Sequence, residues 1–376
     1  MNSLFICNPS DQFAVIPGGV QICTAEFLEV IKSFSNHTHI FHVSITKKWL
    51  YRFLRKFKLD SYHLYDFSYY EQELINVIHT NKIDTVFINK AELIKVARLI
   101  KTHFKSNIKI VLMSHGNETG DFLHELTLPG QKINSLNLLL NKFRLGTNLY
   151  EESFNRHRFI DMVCAMSYEE VAIEKWLGAK HTFFFPRVIK PVIINWKPII
   201  SRFGFVGTLN HSPNFIAVDQ ICQELSAQKN TIQLIIVGAG TEQGNMLAQK
   251  YIFVKYLGAL SDEDLKREVS SWLYFLNPIF WYSRGASMKL GQALGWGLPV
   301  ISTKAGARGY EFKKEVLALC ENNAKSVVEE ILRLAFDVET AQNIHLKLKN
   351  IPDYAYNEIE ISNKLKNEIL NMQANE

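Results

Sequence analysis

The sequence contains no C-x-x-C pair and no strong excess of either charge, and it has no apolar run near the roughly 18 residues that a membrane-crossing helix needs. Each absence removes a class of protein. The five cysteines, Cys7, Cys23, Cys164, Cys222 and Cys320, are scattered and odd in number. They argue against a disulfide framework or a zinc knuckle, and for a reducing compartment in which they serve as small core residues. The N-terminal run Leu4–Cys7 is short and follows no basic segment, so no signal peptide is expected. A cytoplasmic location follows, with peripheral attachment to the inner face of a membrane left open. The 42 Lys and Arg against 37 Asp and Glu give a net charge of +5, too weak to argue nucleic-acid binding. No H-E-x-x-H, P-loop or G-x-S-x-G occurs.

What is present is a globular composition, 47% apolar and 21% charged, in 376 residues. That length is comfortable for two domains. Short apolar runs alternate with helical patterns. Strands are expected at Leu4–Cys7, His39–Ile45, Thr85–Ile88, Lys109–Met113 and Asp161–Met166, and helices at Thr24–Phe34, Glu71–His79 and Glu92–Phe104. Ser167 followed by Glu170 has the spacing of a helix-capping pair. Pro186, Pro191 and Pro198 make a stiff extended connector. The rhythm then restarts, with strands at Phe203–Val206, Gln233–Val237, Leu273–Leu276 and Pro299–Ser302, and helices at Phe215–Leu225, Asp262–Ser271 and Lys289–Gly295. Repeated βα units predict α/β architecture with largely parallel sheets. The expected division is an N-terminal domain over 1–190, a second over 199–350, and a C-terminal segment over 351–376 whose last helix, around Ile359–Met372, crosses back to the first domain. Ligands of such sheets sit at the carboxyl ends of the strands, here in a cleft between facing domains.

The most informative segment is Arg284-Gly-Ala-Ser-Met-Lys-Leu-Gly-Gln-Ala-Leu-Gly-Trp-Gly-Leu-Pro-Val-Ile-Ser-Thr303. The chain leaves a strand at Asn277-Pro278, and the small-residue loop Gly285-Ala286-Ser287 opens a helix. Free N–H groups at that helix start, with Arg284 and Lys289 flanking them, suit a diphosphate. Gly297-Leu-Pro299 then turns into the next strand. An ordinary βαβ unit with solvated charges is the plainer reading of the same residues.

This segment resembles the donor-binding signature of GT-B glycosyltransferases, specifically glycosyltransferase family 4 and its relatives. Lys289, Gly297, Pro299, Val300, Ser302 and Thr303 fit the pattern. So do Arg202-Phe-Gly-Phe-Val-Gly-Thr208 with Ser212-Pro-Asn214, Leu234-Ile-Ile-Val-Gly-Ala-Gly240, and Val254-Lys-Tyr-Leu-Gly258. Pro17-Gly-Gly-Val20 is similar to the family's N-terminal glycine loop, and Ser114-His-Gly116 to a motif carrying a cleft histidine. The resemblance covers most of the chain, in order. It implies a GT-B fold of two doubly wound Rossmann-like domains, an acceptor domain followed by a donor domain. It also implies sugar transfer from a nucleotide-diphosphate-sugar to a glycan or lipid-linked glycan, with retention of configuration, no metal and no cofactor, in cell-surface polysaccharide biosynthesis. Under it, His115, Arg284 and Lys289 take catalytic roles. Gly18, Gly19, Gly207, Asn214, Gly238, Gly285, Ala286, Ser287 and Gln292 approach the donor. The family often places two acids at the positions of Arg284 and Gln292, and a glutamine keeps hydrogen bonds but no charge. Two alternatives therefore stay open: a nucleotide-sugar epimerase of the same fold, and a non-catalytic sugar-nucleotide-binding subunit.

Three further features complete the reading. The two glycines of Pro17-Gly18-Gly19-Val20 let backbone approach a ligand closely or make a plain strand-to-helix turn. Asp262-Glu-Asp264 follows Ser261 at a helix start, where acids favour the helix dipole, so it is read as helix chemistry and not as a metal motif. Lys47 to Lys58 carries six cations and no acid, with aromatic and leucine residues between them. Its apolar side is expected against the core, and its cations are expected to make a rim for anionic lipid.

Overall fold

The computed structural model describes residues 1–13, 19–56, 62, 64–116, 118–127, 135–281 and 285–374. The chain divides into two units, Met1–Pro186 with Glu358–Glu376, and Arg187–Asn357.

Runs such as Leu4–Cys7 and Ile110–Met113 are apolar at successive positions, the pattern of strands covered on both faces. In unit 1 they form β1 (Asn2–Cys7), β2 (His37–His42), β3 (Thr85–Asn89), β4 (Lys109–Met113), β5 (Met162–Ala165) and β6 (His181–Phe184). The helices between them are α1 (Pro9–Gln12), α2 (Gly19–Phe34), α3 (Trp49–Lys56), α4 (Glu71–Thr80), α5 (Val96–Phe104), α6 (Glu118–Thr127), α7 (Ser135–Phe159) and α8 (Tyr168–Trp176). All neighbouring strands are parallel, in the order β2-β1-β3-β4-β5-β6. Leu4, Ile6, Val86, Ile88, Ile110 and Leu112 enter one buried cluster with Leu74, Ile78 and Ile100 from the helices.

Unit 2 repeats the plan. Its strands are β7 (Arg202–Val206), β8 (Gln233–Val237), β9 (Val254–Tyr256), β10 (Tyr274–Asn277), β11 (Val300–Thr303) and β12 (Ala318–Cys320). Its helices are α9 (Ser212–Ser226), α10 (Thr241–Lys250), α11 (Asp262–Val269), α12 (Met288–Gly295), α13 (Lys304–Ala307), α14 (Ala324–Leu334) and α15 (Val338–Lys349). The sheet is parallel in the order β12-β11-β10-β7-β8-β9. Along β8, Leu234 and Ile236 enter one cluster while Ile235 and Val237 enter the other, so a core lies on each face. The last helix, α16 (Glu358–Ala374), packs on α2 in unit 1, where Ser362 Oγ and Ser33 Oγ share a hydrogen bond of 2.6 Å.

Several sequence expectations are shifted. Gly19 already lies in α2, five residues before the expected start. The helix expected from Glu92 begins as a short 3-10 turn, and α5 proper starts at Val96. The proline-rich connector binds unit 2 through its backbone: Val192 N donates to Gly295 O at 2.7 Å and Lys197 N to Ser270 O at 2.8 Å. The expectation for α3 fails for most of its apolar side: Trp49, Leu50 and Phe53 are exposed, Trp49 at 76%, while Tyr51 and Leu54 are half-buried. The acids of Asp262-Glu-Asp264 sit in the first turn of α11, whose N-cap Ser261 accepts from Asp264 N at 3.2 Å.

Candidate functional site

Each sheet has one point where successive crossovers run in opposite directions, and ligands of doubly wound sheets collect there, beyond the carboxyl ends of the strands. In unit 2 that point lies between β7 and β10. β7 runs out into Gly207, and Gly207 N donates to Val237 O at 2.8 Å. Gly238 follows β8 with φ of +142°, and a Cβ there would collide with the Gly207 carbonyl oxygen. Only glycine allows these two backbones to approach so closely. A Cβ at Gly207 would itself run into Lys289 Nζ and come within 2.9 Å of Phe205 Cζ.

Lys289 is carried by the first turn of α12. Its Nζ donates to Asn214 Oδ1 at 3.0 Å and lies 4.6 Å from the centroid of the Phe205 ring. Asn214 is held in turn by donation from Nδ2 to Thr208 O at 2.8 Å. Among the described residues no carboxylate pairs with Lys289. Burial alone pulls its pKa down to about 8. A desolvated ammonium with neutral partners is costly until an anion arrives.

The start of α12 is prepared for the same guest. Ser287 occupies the N-cap but makes no side-chain cap bond. Its hydroxyl donates instead to Asn277 Oδ1 at 3.0 Å, at the end of β10. Asn277 Nδ2 donates to Ser302 Oγ and Gly306 O, both at 3.0 Å, which fixes the amide's orientation. Tyr310 OH donates to Ser287 O at 2.6 Å and accepts from Gly291 N at 3.0 Å. The phenol is thus inserted into the first intrahelical bond of α12. A Cβ on Gly291 would lie 2.5 Å from that hydroxyl, so glycine is what admits it. The Ser287 hydroxyl being turned away, the first N–H groups of α12 are left for an external acceptor.

The equivalent point in unit 1 lies between β1 and β3. His115, after β4, places Nε2 2.8 Å from Asn89 Oδ1 at the end of β3. Asn89 Nδ2 donates to Asp11 Oδ2 at 3.2 Å and Thr24 Oγ1 at 3.1 Å. The amide oxygen is therefore the atom facing His115, and Nε2 must carry the proton. Asp11 is neutralised by Lys90 at 2.9 Å. Lys90 adopts φ of +76°, a conformation disfavoured for a side-chain-bearing residue. The Phe27 ring meets the His115 ring edge to face at 5.2 Å.

Beneath His115 lies a buried ion network. Arg156 donates to Glu174 through Nε and, at 2.9 Å, through Nη2. Ser114 Oγ donates to Glu174 Oε1 at 3.3 Å and accepts from Gly116 N at 3.2 Å. Glu152 accepts from Tyr62 OH and, at 3.2 Å, from Thr119 N.

The structure thus brings together Gly207, Asn214, Gly238 and Lys289, and sets Gly285, Ala286 and Ser287 at the start of α12. Gly285 has φ of +71°. Gln292, three residues after Lys289 on the same helix, is exposed. Gly19 begins α2, while Gly18 and Arg284 lie outside the described residues. Asn89, Asp11, Asn277 and Tyr310 were not singled out in sequence. A polar residue closing an otherwise apolar strand, as Asn89 and Asn277 do, is the signal that could have found two of them.

Residues 201–337 match the model of the family described as Glycosyl transferases group 1. No curated protein matches the chain. Among solved structures, the sucrose-phosphate synthase of Thermosynechococcus elongatus aligns with a TM-score of 0.65 at 15% identity, over 100% of both chains. HepE of Anabaena, solved with UDP, aligns with a TM-score of 0.63 at 14% identity, over 99% of this chain and 100% of its own. The lipopolysaccharide outer core galactosyltransferase WaaB aligns with a TM-score of 0.61 at 15% identity, over 99% of both. The chain has the GT-B glycosyltransferase fold, and its second unit carries the match to glycosyl transferases group 1.

Proposed function

We propose that this chain transfers a sugar from a nucleotide-diphosphate-sugar to a glycan or lipid-linked glycan, with retention at the anomeric carbon and without a metal ion. One observation carries the reading. Lys289 is a desolvated cation with no carboxylate partner among the described residues, beside the uncapped start of α12. That pair of features answers a diphosphate. As the glycosidic bond breaks, negative charge grows on the leaving nucleoside diphosphate, and a fixed cation with oriented N–H groups lowers the energy of that change. Arg284, adjacent in sequence, adds a second cation. Gly207 and Gly238 let the donor lie against backbone. Gln292 offers an amide to the ribose or sugar hydroxyls. A donor phosphate oxygen takes the acceptor proton on the face from which the nucleotide leaves, which preserves configuration. His115, with its tautomer set by Asn89, is assigned to the reacting sugar.

HepE was solved with UDP, so UDP is the natural first probe. The acid-free stretch Lys47 to Lys58 is assigned to peripheral contact with an anionic membrane, on the cytoplasmic face where a lipid-linked acceptor of cell-surface polysaccharide synthesis is presented. The test is incubation with a panel of nucleotide sugars and no acceptor. Slow release of free nucleoside diphosphate is expected. Conversion of the sugar to its epimer, or binding with no turnover even when acceptors are added, refutes transfer.

A further inference from the structure

The start of α7 is unusual for a helix of a folded unit. Leu136, Leu139 and Phe143 are 67%, 65% and 62% exposed, and Leu140 is exposed beside them. Their spacing of three and four residues puts them on one side of the helix. The second half of the same helix behaves differently, burying Asn148, Glu152, Asn155 and Arg156.

Topology says where the exposed half lies. All strands of unit 1 are parallel, and α7 ends at Phe159, just before β5. The helix therefore runs antiparallel to the strands, with its C-terminus at their amino ends. Its 25 residues span about 37 Å, whereas strands of four to six residues span about 13–20 Å. The first turns of α7 consequently overhang the carboxyl ends of the sheet. α3 follows β2 and begins at the same end. It too exposes apolar side chains, Trp49, Leu50 and Phe53.

The two stretches share a sign of charge. Residues 135–150 of α7 carry Lys142 and Arg144 and no acid, and Lys47 to Lys58, which includes α3, has six cations and no acid. We propose that the overhanging start of α7 is a second membrane anchor, whose Leu136, Leu139, Leu140 and Phe143 enter the headgroup boundary of an anionic bilayer alongside α3. The charge pattern selects this occupant. Two copies of the chain meeting through residues 135–150 would bring Lys142 and Arg144 of one against those of the other, and that stretch supplies no acid to offset them, whereas anionic headgroups complement both helices. The anchor also explains why the apolar faces point away from the core at the end of the sheet that carries His115. This inference rests on the membrane reading above.

The test uses the full chain and sedimentation with phosphatidylcholine vesicles, with and without phosphatidylglycerol. The unmodified chain is expected to bind only the anionic vesicles. A Leu139→Asn/Phe143→Asn variant should lose that binding by about tenfold or more and keep its unfolding temperature, because both side chains are exposed. In a Leu139→Trp variant, fluorescence should shift to shorter wavelength on adding anionic vesicles, more than in the parent chain. If Lys47→Glu/Arg52→Glu abolishes vesicle binding while the α7 double variant binds normally, the anchor is overturned and the membrane reading stands. If the unmodified chain ignores anionic vesicles, both are overturned. A dimer in light scattering that the α7 double variant converts to monomer assigns the face to a second copy and overturns the anchor.

Discussion

The two units each hold a cation out of full contact with water, Arg156 fully buried and Lys289 half-buried, and they treat it in opposite ways. Arg156 in unit 1 is fully buried and held by Glu174 in two hydrogen bonds, with the Glu152 carbonyl taking a third at 3.0 Å. Burial pulls its pKa down, but the attraction and hydrogen bonds of Glu174, with Tyr62 and Glu152 nearby, together raise it above the ordinary value. Lys289 in unit 2 has the Asn214 amide and the Phe205 ring, and its pKa falls to about 8. The first charge is satisfied within the fold, so removing its partner should be costly. The second awaits compensation, so it is suited to recognising an anion.

The largest effect that would sharpen this contrast is on stability. Glu174→Ala leaves Arg156 buried without its carboxylate and should cost about 3–5 kcal/mol, read as a lowered midpoint of denaturant unfolding. A loss under about 1 kcal/mol would mean that Arg156 finds water or another partner, and the contrast fails. Lys289→Met should act the other way. Nucleoside diphosphate affinity should drop roughly 10–100-fold, the worth of a charge-assisted hydrogen bond, while the unfolding temperature rises because a buried charge is gone. Calorimetric affinity equal to that of the parent chain would remove Lys289 from the site. The same lysine gives a pH signature. Its folded pKa of about 8 lies below the ordinary 10.5, so affinity should hold to about pH 8 and fall above it. Stability of the ligand-free chain should move oppositely. Between about pH 8 and 10.5 the unfolded chain holds the proton and the folded chain does not, so this group's contribution rises with pH. In Lys289→Met both trends should vanish.

Asn89→Ala should release His115 from its single tautomer. A turnover number about tenfold lower with unchanged donor affinity is expected, and an equal change in donor dissociation constant would make Asn89 a binding residue instead. The smallest effect expected is from Tyr310→Phe, about 1 kcal/mol of stability, with a modest loss of nucleotide affinity as α12 loses the hydroxyl that bridges Ser287 and Gly291.

The alternation of strands and helices was legible because parallel strands covered on both faces are written as unbroken apolar runs, as at Ile110–Met113 and Leu234–Val237. The start of α12 was legible too, because small residues, a lysine and a Gly-x-Pro turn lie within 20 residues of one another. The networks around them were not. Tyr310 reaches back to Ser287 and Gly291, Asn89 to Asp11 and His115, and Arg156 forward to Glu174; no local pattern pairs such residues. α3 misled for a different reason. A stripe of apolar residues at helical spacing looks the same whether it faces a core or faces outward, and only the packing around Trp49 and Phe53 tells the two apart.

The return of α16 to unit 1 has a consequence for how the chain is made. Unit 2 is continuous in sequence, from 187 to 357, and can finish folding as soon as it leaves the ribosome. Unit 1 cannot, because Ile361, Leu365 and Ile369 of α16 are synthesised only after unit 2 and are buried in the finished unit. The domain begun first is therefore completed last, and until residues 358–374 arrive the face of α2 that they cover stays open to chaperones and to wrong partners.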